Sequence, residues 1–289
     1  MYPKEIRIAT RKSPLALAQT QLFVQHIRDH VCDAKIQILP LETSGDLNRN
    51  WSLPLEGGKG LFTKELEHAL LENQADVAIH SAKDMPTEID ESLPIAGYLA
   101  REDPRDALVK ISDIEVPSKI ATSSPRRRTQ GQELFPHAVW SEIRGNIETR
   151  LKKVAAGICE ATFLAIAGLN RLQISSYPGL DIIPLNIDIM VPAVGQGAIA
   201  VQCLREQAPF WEKSLDPNTE RAVIIERLFL QKLGGGCHSA FAGHFKDDIL
   251  HVFHEDYGYQ LLELNNQDYS YIDIAIDKFI NDLPYNKNG

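Results

Sequence analysis

The sequence predicts an α/β protein with more than one domain. A chain of 289 residues, 44% of them hydrophobic, exceeds one ordinary core and indicates two or three domains. Short apolar runs alternate with segments of helical spacing from Ile6 to Leu99, as in parallel α/β units. The same alternation begins again at Lys119, and a strand-rich tail starts at Phe241.

The first region predicts strands at residues 6–10, 35–41, 77–79 and 93–99, with helices at 15–29 and 61–73. Residues 42–60 contain four glycines, two asparagines and a proline with little periodicity, which predicts a long loop of the kind that often carries function. The charged, proline-containing stretch at 101–105 is a candidate hinge.

The second region predicts strands at 119–122, 137–140 and 162–166, with helices that begin at residues 125 and 146. The small-residue segment 191–201 is a candidate return crossing between lobes. Two helices follow, ending with residues 220–233. Strands over 241–264 and a final helix over 270–283 then predict a small third α/β domain.

Each region starts with a strand that leads into a serine and a proline. An Ile-Ala-Thr triplet precedes Ser13-Pro14 and, about 110 residues later, Ser124-Pro125. Serine at the N-cap followed by proline begins a helix, and the free amides of that helix favour an anion. Each serine is either a cap alone or a ligand contact as well, and the repeat is either chance or a duplication. A duplication would give each of two lobes an anion site facing a shared cleft.

Charge is unevenly distributed along the chain. The whole chain carries −9, with 30 Lys and Arg against 39 Asp and Glu, which argues against nucleic acid or an anionic membrane as the main partner. Residues 118–171 instead carry nine Lys or Arg and four acids, a balance of +5, which indicates a site for a small anion. Arg126, Arg127 and Arg128 occupy a predicted first helical turn, where cations oppose the helix dipole. They form either a solvated basic turn or a set that holds carboxylates.

The stretch ADVAIHSAKDMP, at residues 75–86, predicts a buried strand that ends in polar residues. In an open α/β sheet, side chains just past the carboxyl end of a strand face the ligand crevice. Lys83 and Asp84 are therefore a candidate charged pair at the mouth of a cleft. The alternative is a solvated Lys83 and an Asp84 that caps a turn.

The four cysteines lie far apart without metal-ligand spacing, so a reduced, metal-free chain is expected. Cys237 stands out because three glycines precede it and leave its thiol accessible as a nucleophile. A protease-like pair with His238 is disfavoured, since adjacent side chains seldom point at each other. No apolar run approaches the ~18 residues of a membrane span and no signal-peptide core begins the chain, so we expect a cytoplasmic protein.

Eight sequence blocks together resemble the porphobilinogen deaminase family, also called hydroxymethylbilane synthases. They follow the family's order over roughly residues 5–240, and eight blocks in order are far more specific than any single motif. The blocks are IRIATRKSPLALAQ, GGKGLFTKELEHALLENQADVAIHSAKDMP, REDPRDA, TSSPRR, IRGNIETRL, LAIAGLNRL, PAVGQGA and the Gly-Gly-Cys loop.

The resemblance implies an α/β protein with two lobes like those of type II periplasmic binding proteins, a central cleft and a small C-terminal α/β domain. Lobe 1 is expected at residues 1–99 and 195–215, and lobe 2 at 101–192. The small domain that carries the cofactor is expected at 219–289. We expect a monomer with neither nucleic acid nor a membrane as partner.

The resemblance also implies that four porphobilinogen molecules are joined head to tail, with loss of ammonia, into the linear tetrapyrrole hydroxymethylbilane. A dipyrromethane cofactor, attached through a thioether to Cys237, is expected to prime the growing oligopyrrole. Asp84 matches the family's catalytic carboxylate, which stabilises positive charge on the pyrrole. The positions that match cofactor-binding residues are Ser13, Lys83, Asp84, Ser124, Arg126, Arg127 and Cys237. The positions assigned to substrate binding are Arg11, Gln19, Lys59, Arg144, Arg150 and Arg171. No metal site is implied.

This sequence departs from the family pattern at several positions. Gly234 stands where the family often has Glu, Ala240 where Pro commonly follows the cysteine, and Cys159-Glu160 where Tyr-Asp is usual. None of these changes removes a residue with an assigned chemical role. Two other functions stay open at this point: a non-catalytic binding protein that closes on a small polycarboxylate, and a cysteine-nucleophile transferase without a bound cofactor.

Overall fold

The structure is a computed structural model that describes residues 3–44, 62–234, 240–265 and 268–283. Its contacts divide the chain into two units. Unit 1 comprises Met1–Glu102 and Gly197–Arg221, and unit 2 comprises Asp103–Gln196 and Ala222–Gly289. Most of the predicted 42–60 loop, with Lys59, and the Gly-Gly-Cys loop, with Cys237, lie outside the described residues.

Strands and helices alternate through most of the chain, as the α/β prediction requires. In chain order the described elements are β1 (Glu5–Arg11), α1 (Pro14–His30), β2 (Lys35–Leu41), α2 (Lys64–Leu71), β3 (Val77–Ser81), β4 (Ile95–Tyr98), β5 (Asp106–Ile111), β6 (Lys119–Ala121), α3 (Pro125–Leu134), β7 (Val139–Ser141), α4 (Ile147–Ala155), β8 (Ala161–Ala165), α5 (Ile166–Arg171), β9 (Leu180–Pro184), β10 (Ile199–Gln202), α6 (Ala208–Trp211), α7 (Pro217–Lys232), β11 (Phe241–Lys246), β12 (Ile249–His254), β13 (Gly258–Glu263) and α8 (Tyr269–Asp282).

Unit 1 is built on a mixed five-stranded sheet with the strand order β2-β1-β3-β10-β4. β1 pairs in parallel with β2 and β3, and β10 runs antiparallel between β3 and β4. The apolar face of α1 carries Phe23 and Ile27, which share one buried cluster with Ile6 and Ile8 of β1. Burial of each such side chain contributes roughly 1.5–3 kcal/mol, so this cluster fixes the helix to its strand.

Unit 2 contains a second mixed five-stranded sheet, with the order β7-β6-β8-β5-β9. β6 pairs in parallel with β7 and β8, and β5 runs antiparallel between β8 and β9. This arrangement repeats that of the first sheet strand for strand. The shared order favours the duplication interpretation of the two Ile-Ala-Thr and Ser-Pro matches.

The two sheets share register as well as strand order. The Ile-Ala pair of β1 faces the first two residues of β3, and the Ile-Ala pair of β6 faces the first two residues of β8. Ser81 and Ala165, the last residues of β3 and β8, therefore hold the same position. Ile199 on β10 lies opposite Ser81, and Asp106 on β5 lies opposite Ala165. Ile199 and Asp106 are thus equivalent positions, one apolar and one charged.

The C-terminal part of unit 2 is a three-stranded antiparallel sheet, β11-β12-β13, packed with α7 and α8 around an apolar cluster. Glu226 of α7 is fully buried and accepts hydrogen bonds from the backbone amides of Gly195 at 2.7 Å and Phe245 at 2.9 Å. It also lies 3.1 Å from His244 Nδ1. The predicted small C-terminal domain, with its strands and final helix, is confirmed.

The α/β class is confirmed, but the purely parallel pattern is wrong, because β10 and β5 run antiparallel in the middle of their sheets. The sequence also predicts no strand at β5, β9 or β10, since residues 191–201 are expected only as a crossing between lobes. β5 directly follows a charged, proline-containing stretch, and Asp106 and Lys110 break up its short apolar run, while β9 ends in Pro184. No helix in the described ranges is both long enough and apolar enough to span a membrane.

Candidate functional site

In unit 1, β1 leads into α1 through Ser13, which acts as the N-cap of the helix. Its backbone is extended, its Oγ accepts a hydrogen bond from Ala16 N at 3.2 Å, and Pro14 occupies the first turn. The prediction of a helix start at this serine is confirmed. A ligand contact by the same hydroxyl stays a prediction.

Asp84 ends a short 3-10 turn that follows β3 directly. Arg11 ends the neighbouring strand β1, so both residues reach the same edge of the sheet. Arg11 Nη1 lies 4.0 Å from Asp84 Oδ2, and the two side chains are 22% and 35% exposed. The Arg11 guanidinium also lies 4.2 Å from the centre of the Phe62 ring. A carboxylate and a guanidinium therefore meet at a partly exposed strand edge.

Neutral polar side chains lie inside unit 1 next to this edge. Gln19 is buried, and its Nε2 donates to Ser81 Oγ at 2.9 Å, while its Oε1 lies 3.1 Å from the same hydroxyl. His80 is only 5% exposed. Burial lowers the pKa of His80 to about 4, and the charge of Arg11 contributes to the lowering. His80 is therefore uncharged at neutral pH.

In unit 2, Ser124 repeats the arrangement of Ser13: it caps α3, with Pro125 in the first turn, and its Oγ accepts from Arg127 N at 3.4 Å. Arg126 and Arg127 turn inward from this first turn and are only 7% and 6% exposed. The solvated-turn alternative is therefore wrong for these two arginines.

A buried carboxylate meets both guanidiniums. Asp106, the first residue of β5, accepts hydrogen bonds from Arg126 Nη1 at 2.7 Å and from Arg127 Nε and Nη2 at 3.1 and 2.7 Å. The arginines also donate to the backbone carbonyls of Val191 at 2.7 Å and Phe163 at 2.9 Å. Burial would raise the pKa of the Asp106 carboxyl, but the charges and hydrogen bonds of the two arginines hold that pKa well below its ordinary value. We call these three residues the Asp106 cluster.

Two glutamines tie the segment before β10 to the Asp106 cluster. Gln130 of α3 donates to Val191 O at 3.2 Å and accepts from Val191 N at 2.7 Å. Gln196 donates from Nε2 to Asp106 Oδ1 at 3.0 Å and to Pro104 O at 2.7 Å. The chain enters unit 2 at residue 103 and leaves it after residue 196. Val191 and Gln196, the two ends of the segment before β10, are therefore both held next to the Asp106 cluster.

Further arginines of unit 2 lie on α4, α5 and the loop before α4. Arg150 donates from Nε to Gly145 O at 2.8 Å, and burial together with the charge of Arg127 lowers the pKa of Arg150 to about 10. Arg144 pairs with Glu142 at 3.1 Å. Arg171 is the last residue of α5. Arg150 therefore lies near enough to Arg127 for the charge of Arg127 to act on it.

The predicted site residues thus fall into separate sets. The set described in unit 1 consists of Arg11, Ser13, Gln19, Lys83 and Asp84. The set described in unit 2 consists of Ser124, Arg126, Arg127, Arg144, Arg150 and Arg171. Lys59 and Cys237 lie outside the described residues. Within the part of the chain that the structure describes, no three His, Cys, Asp or Glu side chains group as metal ligands.

The sequence reading missed Asp106, His80 and Phe62 as members of these sets. Asp106 belongs to the REDPRDA block, where the proline and charges indicated a hinge. An acid at the start of an apolar run, in a chain with a strongly basic segment, is a signal for a buried ion pair. His80 and Phe62 carry no comparable local signal.

Comparison with known proteins identifies a matching family model and several similar proteins. Residues 6–211 match the family model described as "Porphobilinogen deaminase, dipyromethane cofactor binding domain". The chain is similar to proteins named porphobilinogen deaminase from three bacteria. These are Sorangium cellulosum (39% identical, 84% of this chain and 82% of that one), Rickettsia canadensis (40%, 83% and 82%) and Geobacillus kaustophilus (41%, 83% and 80%). Among solved structures it is similar to the periplasmic aliphatic sulphonate binding protein of Escherichia coli, with a TM-score of 0.45 and 10% identity over 81% of this chain and 71% of that one.

Proposed function

This chain belongs to the porphobilinogen deaminase family, and we propose that it joins four porphobilinogen molecules head to tail, with release of ammonia, into hydroxymethylbilane. Porphobilinogen deaminase activity, EC 2.5.1.61, follows from the family match over residues 6–211 and from 39–41% identity to the named relatives. That match is the observation that carries the activity. The roles of individual residues are the finer part of the proposal.

Asp84 is proposed as the catalytic carboxylate. Loss of ammonia from porphobilinogen leaves positive charge on the pyrrole, and a fixed carboxylate that accepts the pyrrole N–H stabilises this charge as it forms. The same group can take part in removing the proton that leaves when two pyrroles have joined. The position of Asp84 at a partly exposed strand end, 4.0 Å from Arg11, supports this role, because the carboxylate is held at an accessible edge.

The arginines of unit 2 are proposed to hold the acidic side chains of the pyrroles. Each pyrrole carries an acetate and a propionate, and forked guanidiniums pair with carboxylates through two hydrogen bonds. Arg126 and Arg127 bring two buried cations to Asp106, which supplies one negative charge. Arg150 is half-buried, and burial together with the nearby charge of Arg127 lowers its pKa. The surplus of positive charge fits acidic ligands.

The same chemistry fits a dipyrromethane cofactor, which carries four carboxylates on its two pyrroles. The residues proposed to hold it are Ser13, Lys83, Asp84, Ser124, Arg126 and Arg127, with Cys237 as the point of attachment. When bound, the cofactor supplies the pyrrole end to which the first substrate unit is joined. Ser124 and the two arginines lie in one helical turn, which places donors for carboxylates next to each other.

Three other cysteines are poor candidates for the attachment. Burial raises the pKa of the Cys203 thiol to about 12, and it also raises the pKa values of Cys159 and Cys32. A thiol with a raised pKa is seldom ionised at neutral pH, and the thiolate is the nucleophile. This supports Cys237 as the reactive cysteine of the proposal.

Intact mass of the purified protein tests the proposal. We expect the chain to carry extra mass equal to two pyrrole units, lost in Cys237→Ser and retained in the control Cys32→Ser. The wild type and Cys32→Ser should consume porphobilinogen, and Cys237→Ser should not. A bare wild-type chain that consumes no porphobilinogen would instead favour a non-catalytic binding protein for a polycarboxylate. Turnover by a bare chain would favour a transferase without a bound cofactor.

The organisation of the chain is part of the proposal as well. We place lobe 1 at residues 1–99 and 195–215, lobe 2 at 101–192 and the cofactor domain at 219–289, in a cytoplasmic monomer. The two separate five-stranded sheets and the small antiparallel sheet support three structural parts. Light scattering on the purified chain should give the monomer mass of 32.3 kDa, and twice that mass would contradict the monomer.

A further inference from the structure

Asp106 is a buried carboxylate that gathers side chains from distant parts of unit 2. It is 0% exposed, at the start of β5. Arg126 binds its Oδ2, Arg127 binds its Oδ1 through two nitrogens, and Gln196 donates to Oδ1 at 3.0 Å. One carboxylate therefore sets the position of two adjacent guanidiniums.

The charges in this region do not balance. Asp106 supplies one negative charge, whereas Arg126 and Arg127 supply two positive charges, and Arg150 is close enough to Arg127 to feel its charge. Removing charges from water is costly, and a buried cation without a counter-ion is costlier still. The region is therefore suited to take up an anionic group.

The guanidiniums also keep hydrogen-bond donors in reserve. A guanidinium has five N–H groups. Towards the residues that the structure describes, Arg126 donates only through Nη1, to Asp106 and to Val191 O. Its Nε and Nη2 groups remain available. Asp106 therefore fixes Arg126 by one nitrogen and leaves the others for a ligand.

Unit 1 shows that the fold does not need these charges. Counted from the capping serines, Leu15 and Ala16 hold the positions of Arg126 and Arg127. In the sheet, Ile199 holds the position of Asp106. The same corner is thus apolar in one unit and ionic in the other. A buried ion cluster adds little stability over apolar residues, so the presence of this cluster in unit 2 indicates a role in function.

We propose that Asp106 is a positioning residue for ligand binding: it orients Arg126 and Arg127 so that their remaining donors meet the carboxylates of a pyrrole-linked acid. This inference rests on the proposed function, since the acid it implies is the dipyrromethane cofactor and its precursor porphobilinogen. Asp106 touches no ligand in this scheme and acts through the arginines alone.

Loading of the full-length apoprotein with porphobilinogen, followed by intact mass, tests the inference. The apoprotein is produced in cells that make no porphobilinogen. We expect Asp106→Asn to raise the porphobilinogen concentration needed for half-maximal loading by at least about tenfold, as loss of hydrogen bonds to charged groups does. The control is Asp76→Asn in unit 1, where a carboxylate pairs with a single arginine, Arg7, at 2.7 Å. It should load like the wild type.

The outcomes separate this inference from the proposed function. A wild-type apoprotein that never gains two pyrrole units defeats the proposed function, whatever Asp106 does. A wild type that loads, beside a folded Asp106→Asn that loads at the same porphobilinogen concentration, overturns only the inference. A shifted concentration at an unchanged folded fraction, measured by circular dichroism, supports it, because a purely structural role would change the folded fraction instead.

A second variant covers the case in which Asp106→Asn does not fold. Asp106→Glu keeps the negative charge and both arginines but moves the carboxylate by one methylene group. We expect a folded protein that needs a raised porphobilinogen concentration for half-maximal loading, because the two guanidiniums are no longer held in the same position. A folded Asp106→Glu protein that loads like the wild type overturns the inference. If neither variant folds, the cluster is structural and the inference is overturned as well.

Discussion

The two five-stranded sheets share strand order and register, yet their charged side chains lie at different positions of the shared pattern. Three residues beyond the end of β3 lies Asp84, in an open 3-10 turn. The same count beyond β8 reaches Gly168, inside the apolar helix α5. At the start of the helices that follow β1 and β6 the contrast reverses, since α3 begins with buried arginines and α1 does not. One backbone pattern thus supports a partly exposed carboxylate in unit 1 and a buried cationic set in unit 2.

The buried polar side chains near these positions also differ in charge between the two units. In unit 1 the buried polar groups are neutral: the Gln19 amide bonded to Ser81, and the uncharged His80. In unit 2 they are ionic, around Asp106. The Arg11 guanidinium lies 4.0 Å from the partly exposed Asp84 carboxylate, and a carboxylate in this setting suits the proposed stabilisation of a cation. This difference agrees with the proposed roles, in which Asp84 of unit 1 stabilises charge and the arginines of unit 2 bind carboxylates.

The largest expected effect comes from removing the unit 1 carboxylate. Asp84→Asn should lower porphobilinogen turnover by about 10³-fold, as loss of a preorganised charge in a transition state does. The free energy of unfolding should change by less than about 0.5 kcal/mol, because the side chain is 35% exposed and its ion pair with Arg11 is long, at 4.0 Å. Steady-state assay and chemical denaturation check the two parts.

Asp90→Asn is the matched control for that change, an exposed carboxylate in the loop after the turn. It should retain wild-type turnover. Normal turnover in a folded Asp84→Asn protein would remove the catalytic assignment and the division between the units.

The next effect concerns His80 and pH. The imidazole has a pKa of about 4 in the folded protein and about 6.5 in the unfolded chain. Between these values the unfolded chain takes up the proton first, so the free energy of unfolding falls as pH falls. The loss is complete below pH 4 and amounts to about 3 kcal/mol. Denaturation at a series of pH values measures it.

His80→Leu removes the titrating group and so isolates this contribution. Leucine suits the position, because Leu164 holds the equivalent place in β8. Other histidines with lowered pKa values, such as His26 and His251, remain in both proteins and cancel in the difference. The wild type should therefore lose more stability than the variant between pH 6.5 and pH 4. Parallel curves for the two proteins would show that His80 is not buried neutral.

The sequence predicted the elements whose signals are local. β1, β2 and the start of α1 follow from apolar runs and a Ser-Pro cap, and Asp84 follows from a strand that ends in polar residues. β5 escaped prediction because its neighbours in the sheet, β8 and β9, lie far along the chain. The pairing of Asp106 with Arg126 depends on that same distant pairing. The +5 segment predicted an anion site but could not show that part of its charge is neutralised by a buried acid of the chain itself.

A moderate effect is expected where unit 2 requires a glycine in a helix. Counted from the caps, Gly131 of α3 corresponds to Thr20 of α1. A Cβ added at Gly131 would overlap Trp140 Cη2 and lie 3.1 Å from the Phe163 ring. Gly131→Ala should therefore destabilise the protein by about 1–3 kcal/mol through overpacking, although alanine favours helices. Chemical denaturation measures the loss, and a stabilised variant would show that Trp140 moves aside freely.

The smallest effect distinguishes capping from ligand binding at the two serines. Ser13→Ala and Ser124→Ala should each lower the free energy of unfolding by about 1 kcal/mol, as N-cap removal does. Ser124→Ala should lower the free energy of unfolding less than Ser13→Ala does, because the capping hydrogen bond is 3.4 Å long at Ser124 and 3.2 Å at Ser13. Replacing either serine with aspartate instead keeps a side-chain acceptor for the N-cap hydrogen bond but adds a negative charge. If a serine also meets a carboxylate, its Asp variant should regain stability while the half-loading concentration of porphobilinogen stays raised. Recovery of both together would show that the serine is a cap alone.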